Sequence, residues 1–381
     1  MGTVSPAAPT PAVSGTSAPA DPPRVVLLVV ALGRTARLLA CLRALVTHES
    51  RAAFAVVCVV NPVSEATDAA AAAALEQIGV PIIDSPINLG WAGGLHRARE
   101  AADELAPLAE LVVWVQDDMV VRPGWLDALV DAADLHTAVG AFGSVQVDEG
   151  GTPRLFNGGW CVADDLALWS STDRSPEQPP VGVEPRDWVT SKGLMVRTRA
   201  WDEIGGPDPS LYPLSYVDLD TCSHLRAHGW GVALVGEARL AHEGQRSAAG
   251  MLRRYLSDRL TPRVHERWST VVAQLPDGAA RAIPHACTAD RAADVEGWCA
   301  REALDIVVDF GRWAERTRRA ETAETTALLA EREGVIRELD AGFRTALEQL
   351  AAVRAERDAM RQTWSWRLTA PLRALQRALR G

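Results

Sequence analysis

Lysine is nearly absent: Lys192 is the only one among 39 lysines and arginines. With the heavy alanine content this reads as a compositional bias that carries no mechanism. The six cysteines, Cys41, Cys58, Cys161, Cys222, Cys287 and Cys299, include no CxxC pair. That excludes a zinc ribbon or a thioredoxin-type motif and points to buried, reduced thiols of a cytoplasmic protein. A basic excess is missing too. The net charge is −10, which argues against a general nucleic-acid binder and leaves room for a small anionic ligand held locally. Apolar runs such as Val25–Leu32 and Leu111–Val115 are far short of the ~20 residues a helix needs to span a bilayer. Residues 2–22 are mostly Ala, Pro, Ser, Thr and Gly, without the basic start and apolar run of a signal peptide. They cannot bury enough apolar surface to offset ordering, so a disordered tail is expected over 1–23. What remains is ordinary for a globular chain of two or three domains, with 381 residues, 48% hydrophobic and 23% charged. Such a length buries a core without disulfide or metal staples.

From Arg24 the pattern alternates. Val25–Leu32 is a continuous β-branched run, as in a strand buried on both faces. Thr35–Thr47 has helical spacing, with Leu38, Leu39, Leu42 and Leu45 on one face. Phe54–Val60 predicts a second strand, Ser64–Gly79 an alanine-rich helix and Pro81–Asp84 a short third strand. A helix over Gly90–Leu105 opens on a glycine-rich turn. Leu111–Val115 predicts a fourth strand, ending at Gln116-Asp117-Asp118. Such alternation predicts an α/β fold with a mostly parallel, doubly wound sheet flanked by helices. Further on, Trp125–Ala133 and Asp218–His228 predict helices. Ala141–Val147, Gly159–Val162 and Gly231–Leu240 predict strands, and residues 172–186 a loop. Val189–Thr198 is apolar with a break at Ser191-Lys192-Gly193. The globular domain is expected over 24–265, followed by a helical extension over 266–312.

Beyond that the character changes. Leu329, Arg332, Ile336, Leu339, Phe343, Ala346, Leu350, Val353, Arg357, Met360 and Trp364 recur in steps of three and four. This a/d pattern predicts a coiled-coil helix over 313–364 and a homo-oligomer, with a long helix packed on its own domain as the alternative. Residues 361–381 carry five arginines and no acidic residue, and Leu368, Leu372, Leu375 and Leu379 share one face beside Trp364. A basic amphipathic tail over 365–381 suits an anionic membrane surface.

Paired carboxylates at the end of a parallel strand lie where α/β sheets bind ligands. Asp117 and Asp118 repel each other unless a hard cation such as Mg²⁺ or Mn²⁺ sits with them, bridging to substrate phosphates. By itself an Asp-Asp pair after a strand is more often a turn or a helix cap. The context is Asn88-Leu89-Gly90-Trp91-Ala92-Gly93-Gly94 opening a helix, Gln116-Asp117-Asp118 after the next strand, and Trp188–Gly206. Tyr216-Val217-Asp218-Leu219-Asp220-Thr221-Cys222 and Ala241-His242-Glu243-Gly244-Gln245-Arg246-Ser247 follow. In this order the motifs resemble the family 2 glycosyltransferases of the GT-A fold, most of all the rhamnosyl- and galactofuranosyltransferase branch of bacterial surface-polysaccharide assembly. The resemblance covers roughly residues 24–250.

The resemblance implies a divalent-metal-dependent inverting glycosyltransferase acting on a nucleotide-diphosphate sugar and a cell-surface or cell-wall glycan, free or lipid-linked. It makes Asp218 the general base and places the metal on Asp118 and His242. It assigns donor contacts to Arg34, Asn61, Asn88, Gly90, Gly93, Gly94 and Asp117, and the sugar and acceptor pocket to Trp188, Ser191 and Gly193. Trp91 and Trp160, beside glycine turns, are candidates to stack on a sugar ring. Inverting transfer needs a carboxylate to take the acceptor proton and a cation to offset charge on the departing diphosphate. The chain departs from the pattern at Val60, at Val217 and at Gln116, where the family usually has acids. Two rivals follow: a catalytically impaired scaffold in a glycan-assembly complex, and a GT-A-like nucleotidyltransferase. The expected location is the cytoplasm, peripheral at the inner face of the plasma membrane.

Overall fold

The computed structural model describes residues 22–63, 68–148, 151–152, 158–162, 165–169, 181–242, 250–272, 294–320 and 325–362. The expected N-terminal tail up to residue 21, the basic C-terminal tail and Glu243–Ser247 lie outside the described residues.

The apolar runs form strands as their β-branched composition dictates. β1 (Val25–Leu32) pairs in parallel with β2 (Phe54–Asn61) and with β4 (Leu111–Gln116), and β2 pairs in parallel with β3 (Ile82–Asp84). From β4 onward antiparallel pairings join the parallel ones, within the expected α/β sheet flanked by helices. β11 (Leu194–Arg197) runs antiparallel to both β4 and β6 (Val139–Val147), while β12 (Gly231–His242) is parallel to β6. The last residues of β12 pair antiparallel with β5 (Met119–Val121), giving the order β3-β2-β1-β4-β11-β6-β12-β5. β9 (Val183–Pro185) pairs with β12 inside the segment expected to be a loop. A second small sheet joins β7 (Gly158–Val162) to β8 (Asp165–Trp169) and β10 (Trp188–Val189).

Both faces of β1 are covered, because its side chains alternate between two cores. Val26, Leu28 and Val30 face one, with α3 (Gly90–Leu105), α5 (Thr198–Ile204) and α6 (Val217–Ala227) above them. Val25, Leu27 and Val29 face the other, under α1 (Ala36–Val46) and α4 (Trp125–Leu135). The Thr35 hydroxyl caps α1 by accepting from the Leu38 N–H at 3.1 Å. The expected helix over Ser64–Gly79 is described only as α2 (Ala69–Leu75), capped by Asp68. The thiols of Cys41, Cys58, Cys222 and Cys299 are buried and are not joined in disulfides among the described residues.

The C-terminal helices are docked, not appended. α7 (Gly250–Val272) runs through position 265 without a break. Its Trp268 is fully buried and donates from Nε1 to Asp220 Oδ1 at 2.7 Å, and Arg267 bonds both Asp208 and Asp220 at 2.8 Å. Arg259 and Arg263 bond Glu302 of α8 (Val295–Ala320). α9 (Thr325–Gln362) carries the expected heptads. Its Ile336, Leu339 and Ala346 pack on this chain's own cluster around Tyr255 and Phe310, whereas Leu347 and Val353 are exposed. Part of the apolar stripe is therefore consumed within the chain. Among the described residues no helix is long and apolar enough to cross a membrane.

Because Trp268 fills the joint between α7 and the α/β core, Trp268→Ala is expected to lower stability by about 3–5 kcal/mol in urea unfolding, through the cavity and the lost bond to Asp220.

Candidate active site

Four strands end on one edge of the sheet, and the candidate residues follow those ends. Arg34 lies just past β1, Asn61 ends β2, Asp84 ends β3, and Gln116-Asp117-Asp118 closes β4. Opposite this edge, the β12–β5 ladder sets His242 across from Met119. That register delivers the imidazole to the carboxylate pair, with Nε2 of His242 3.2 Å from Asp118 Oδ2. The two side chains are only 6% and 10% exposed. Asp118 Oδ1 and Asp117 Oδ2 are buried with no hydrogen-bond partner among the described residues. Burial pushes the Asp117 carboxyl up to about 6; the Arg37 guanidinium opposes this and the Asp118 charge adds to it. Unpartnered buried carboxylate oxygens are costly, and hard oxygen donors beside one imidazole suit a Mg²⁺- or Mn²⁺-like ion. Among the described residues no group of three or more His, Cys, Asp or Glu side chains is arranged to hold a metal. Asp118 and His242 would thus supply a partial shell, which these ions commonly complete with water and substrate phosphates.

The turn Ser191–Gly193 stitches the site together. β11 pairs with β4 so that Leu194 lies opposite Trp114, and the Gly193 N–H donates to the Trp114 carbonyl at 3.1 Å. Ser191 then sits between two candidates. Its N–H donates to Asp218 Oδ2 at 2.9 Å, and its hydroxyl accepts from Gln116 Nε2 at 3.4 Å. Gly193 has a φ of +66°, and a Cβ there would lie 2.5 Å from Leu240 and 2.7 Å from Ser144 Oγ, so only glycine fits. Asp218 lies in the first turn of α6, where the Leu219 N–H also donates to its Oδ1 at 3.0 Å. The two residues before that helix, Ser215 and Tyr216, hold φ values of 88° and 60°. Such left-handed conformations are uncommon outside glycine and cluster at functional sites.

Other candidates have positions that differ from a direct donor contact. Asn61 is buried, and its amide is spent on the next turn: Oδ1 accepts from the Leu89 N–H at 2.8 Å and Nδ2 donates to the Gly90 carbonyl at 3.2 Å. Asn88 Oδ1 accepts from the Gly90 N–H at 2.8 Å. Gly90, at φ +62°, lets the Pro213 carbonyl approach to 2.6 Å of where its Cβ would be. Gly93 faces Cys299 of α8, and Gly94 faces Val30 of β1. Both serve helix packing. Trp188 belongs to the core. Trp91 is half-buried and meets Trp114 edge-on at 6.3 Å. The side chain of Trp160 lies outside the described residues. Arg34 is held by a fork of two bonds to Asp84, 3.0 Å and 2.6 Å, which raises its pKa.

Two residues escaped sequence reasoning. Asp84 had no signal beyond its place at a strand end. Lys192 had one, as the lone lysine of an arginine-rich chain at the break between Ser191 and Gly193. It is half-buried, and burial lowers its pKa against the opposing charges of Asp218 and Asp118, with Arg253 lowering it further.

With this geometry in view, the comparisons define the class. The family model described as glycosyltransferase like family 2 matches residues 22–258, and the chain belongs to that family. Two relatives, from two strains of Mycobacterium tuberculosis, are each described as an N-acetylglucosaminyl-diphospho-decaprenol L-rhamnosyltransferase. Each is 28% identical over 200 residues, covering 46% of this chain and 63% of its own length. The chain therefore spans less than two thirds of the curated relatives it matches. Among solved structures, GalNAc-T7 with UDP, GalNAc and Mn²⁺ has a TM-score of 0.46 at 13% identity, covering 65% of this chain and 48% of its own. The mannosyltransferase PcManGT from Pyrobaculum calidifontis with GDP-Man and Mn²⁺ has a TM-score of 0.43 at 14% identity, covering 93% and 90%.

If Asn61 acts as the clamp of the 88–90 turn, Asn61→Ala leaves two buried backbone groups unpaired. A loss of about 1–3 kcal/mol in urea unfolding is expected, whereas a residue reserved for donor contact would leave the unfolding midpoint unmoved.

Proposed function

We propose that the chain is a metal-dependent inverting glycosyltransferase that moves a sugar from a nucleotide-diphosphate donor to a hydroxyl of a surface-glycan acceptor. The relatives' description favours a rhamnosyl donor and a polyprenyl-diphosphate-linked acceptor sugar. One observation carries the reading. Asp117, Asp118 and His242 converge at the carboxyl edge of the sheet, and Asp218 is tied to the same edge through Ser191 and Gln116.

Each residue has a task. Asp218 takes the proton of the attacking hydroxyl, with one carboxylate oxygen held by the Ser191 N–H and the other by the Leu219 N–H. Gln116, a neutral amide, positions Ser191 instead of adding a third charge to the pair. Asp118 and His242 would hold the cation, with Asp117 beside them. Bound there, a divalent ion offsets the negative charge that grows on the departing diphosphate. Arg34 and Asp84 border the nucleoside end. We place the enzyme at a membrane face, where a lipid-linked acceptor is presented and where the basic tail would hold it. The exposed Val353 leaves part of the α9 stripe for self-association.

Calorimetry with UDP, dTDP and GDP, with and without Mn²⁺, tests the donor half. One nucleotide is expected to bind only with metal, and Asp118→Ala to abolish that binding; binding of none would favour the scaffold. Asp218→Asn tests the base. It should keep nucleotide affinity but lower kcat by about 10²–10⁴-fold. A fall in nucleotide affinity with kcat intact would remove Asp218 from that role.

A further inference from the structure

Resting on the transferase reading, we propose that Lys192, with the charge of Arg253 of α7 assisting, binds a phosphate oxygen of the acceptor, so that the site selects an acceptor sugar carried on a phosphodiester or diphosphate.

The placement of the lysine carries this. Its neighbours are clamped on both sides: Ser191 by Asp218 and Gln116, Gly193 by the Trp114 carbonyl and by Ser144, whose hydroxyl donates to the Gly193 carbonyl at 2.7 Å. A Cβ at 193 has no room, so the turn packs closely against Leu240 and Ser144. The backbone of Lys192 is thereby held one residue from the Ser191 N–H that bonds Asp218, and its ammonium group feels the charges of Asp218, Asp118 and Arg253. Among the described residues neither Lys192 nor Arg253 forms an ion pair. Half-burying an unpaired lysine in the field of another cation is unfavourable. The expense is offset once an anion bridges the two.

Two phosphate sources approach this site. The donor diphosphate has the cation assigned to Asp118 and His242. Lys192 belongs to the turn that holds Asp218, and the acceptor hydroxyl must reach that carboxylate. An acceptor sugar with a phosphate on its anomeric carbon would set that phosphate near Lys192 while one of its ring hydroxyls meets Asp218. Arginine would carry the same charge in a planar fork; lysine offers a compact ammonium with rotatable donors.

Calorimetry on the full chain tests this with three probes: farnesyl-diphospho-N-acetylglucosamine, octyl N-acetylglucosaminide as its uncharged counterpart, and the nucleoside diphosphates with Mn²⁺. Lys192→Met is expected to weaken the diphosphate probe about tenfold or more, the size of a lost charge-assisted hydrogen bond. Lys192→Arg should recover most of it, and Arg253→Gln should cost a smaller factor. Affinity for the neutral glycoside and for nucleotide should stay level. A loss confined to the nucleotide would give Lys192 to the donor. An equal loss for the neutral glycoside would make its role structural. Either result, no loss at all, or failure of the wild type to bind the diphosphate probe overturns the proposal. A wild type that binds this probe but no nucleotide, and transfers no sugar, sinks the transferase reading instead, and the lysine is still decided by the first probe.

Discussion

The site depends on the antiparallel pairing between the end of β12 and β5. Strand side chains alternate between faces, so a slip of one residue in this ladder would turn His242 away from Asp118. The register is held on β12's other side by the parallel pairing with β6, which slips twice, between Gly231 and Val232 and again between Val235 and Arg239, and then resumes. The second irregularity re-aims the strand so that its last residues reach β5 while its first residues pair with β9. One irregular strand thus carries the histidine from the second half of the chain to carboxylates in the first.

A second constraint couples Asp218 to the same edge. β4 ends in Gln116, and β11 returns beside it in antiparallel register, which forces the Ser191–Gly193 turn over the carboxylates. Through Ser191 the amide of Gln116 and the carboxylate of Asp218 share one residue. Substituting an amide for the family's usual acid therefore has a physical use here, since it donates a hydrogen bond to Ser191 where a carboxylate could only accept. The helical extension reinforces the arrangement from behind. Trp268 and Arg267 engage Asp220, two residues past Asp218 on α6, and α8 presses Cys299 against Gly93 at the start of α3.

Much of the architecture was legible because burial on both faces leaves a continuous β-branched signature. The four parallel strands and the helices between them follow from Val25–Leu32, Phe54–Val60 and Leu111–Val115 and the turns around them. The site was legible as a set of motifs; the structure sets His242 against Asp118 and ties Asp218 to Gln116 through Ser191. The roles inside that set were less legible. Asn61, Gly93 and Gly94 look alike in sequence whether they touch a ligand or pack the turn and helix behind it, because a small or amide residue suits both. The direction of β11 and the presence of β9 were not legible for another reason: strand direction and short edge strands depend on partners far away in the chain.

Composition and periodicity by themselves determined the α/β class, the buried thiols, the carboxylates at the end of β4 and the heptad stripe, because each depends on local spacing or on burial of a continuous run. Tertiary structure alone decided the direction of β11 and β12, the distance between His242 and Asp118, the use of Ile336, Leu339 and Ala346 within the chain, and the place of Lys192. These are contacts between residues far apart in sequence. Local propensity does not specify such contacts; the pairing of strand ends and the filling of the space between them do.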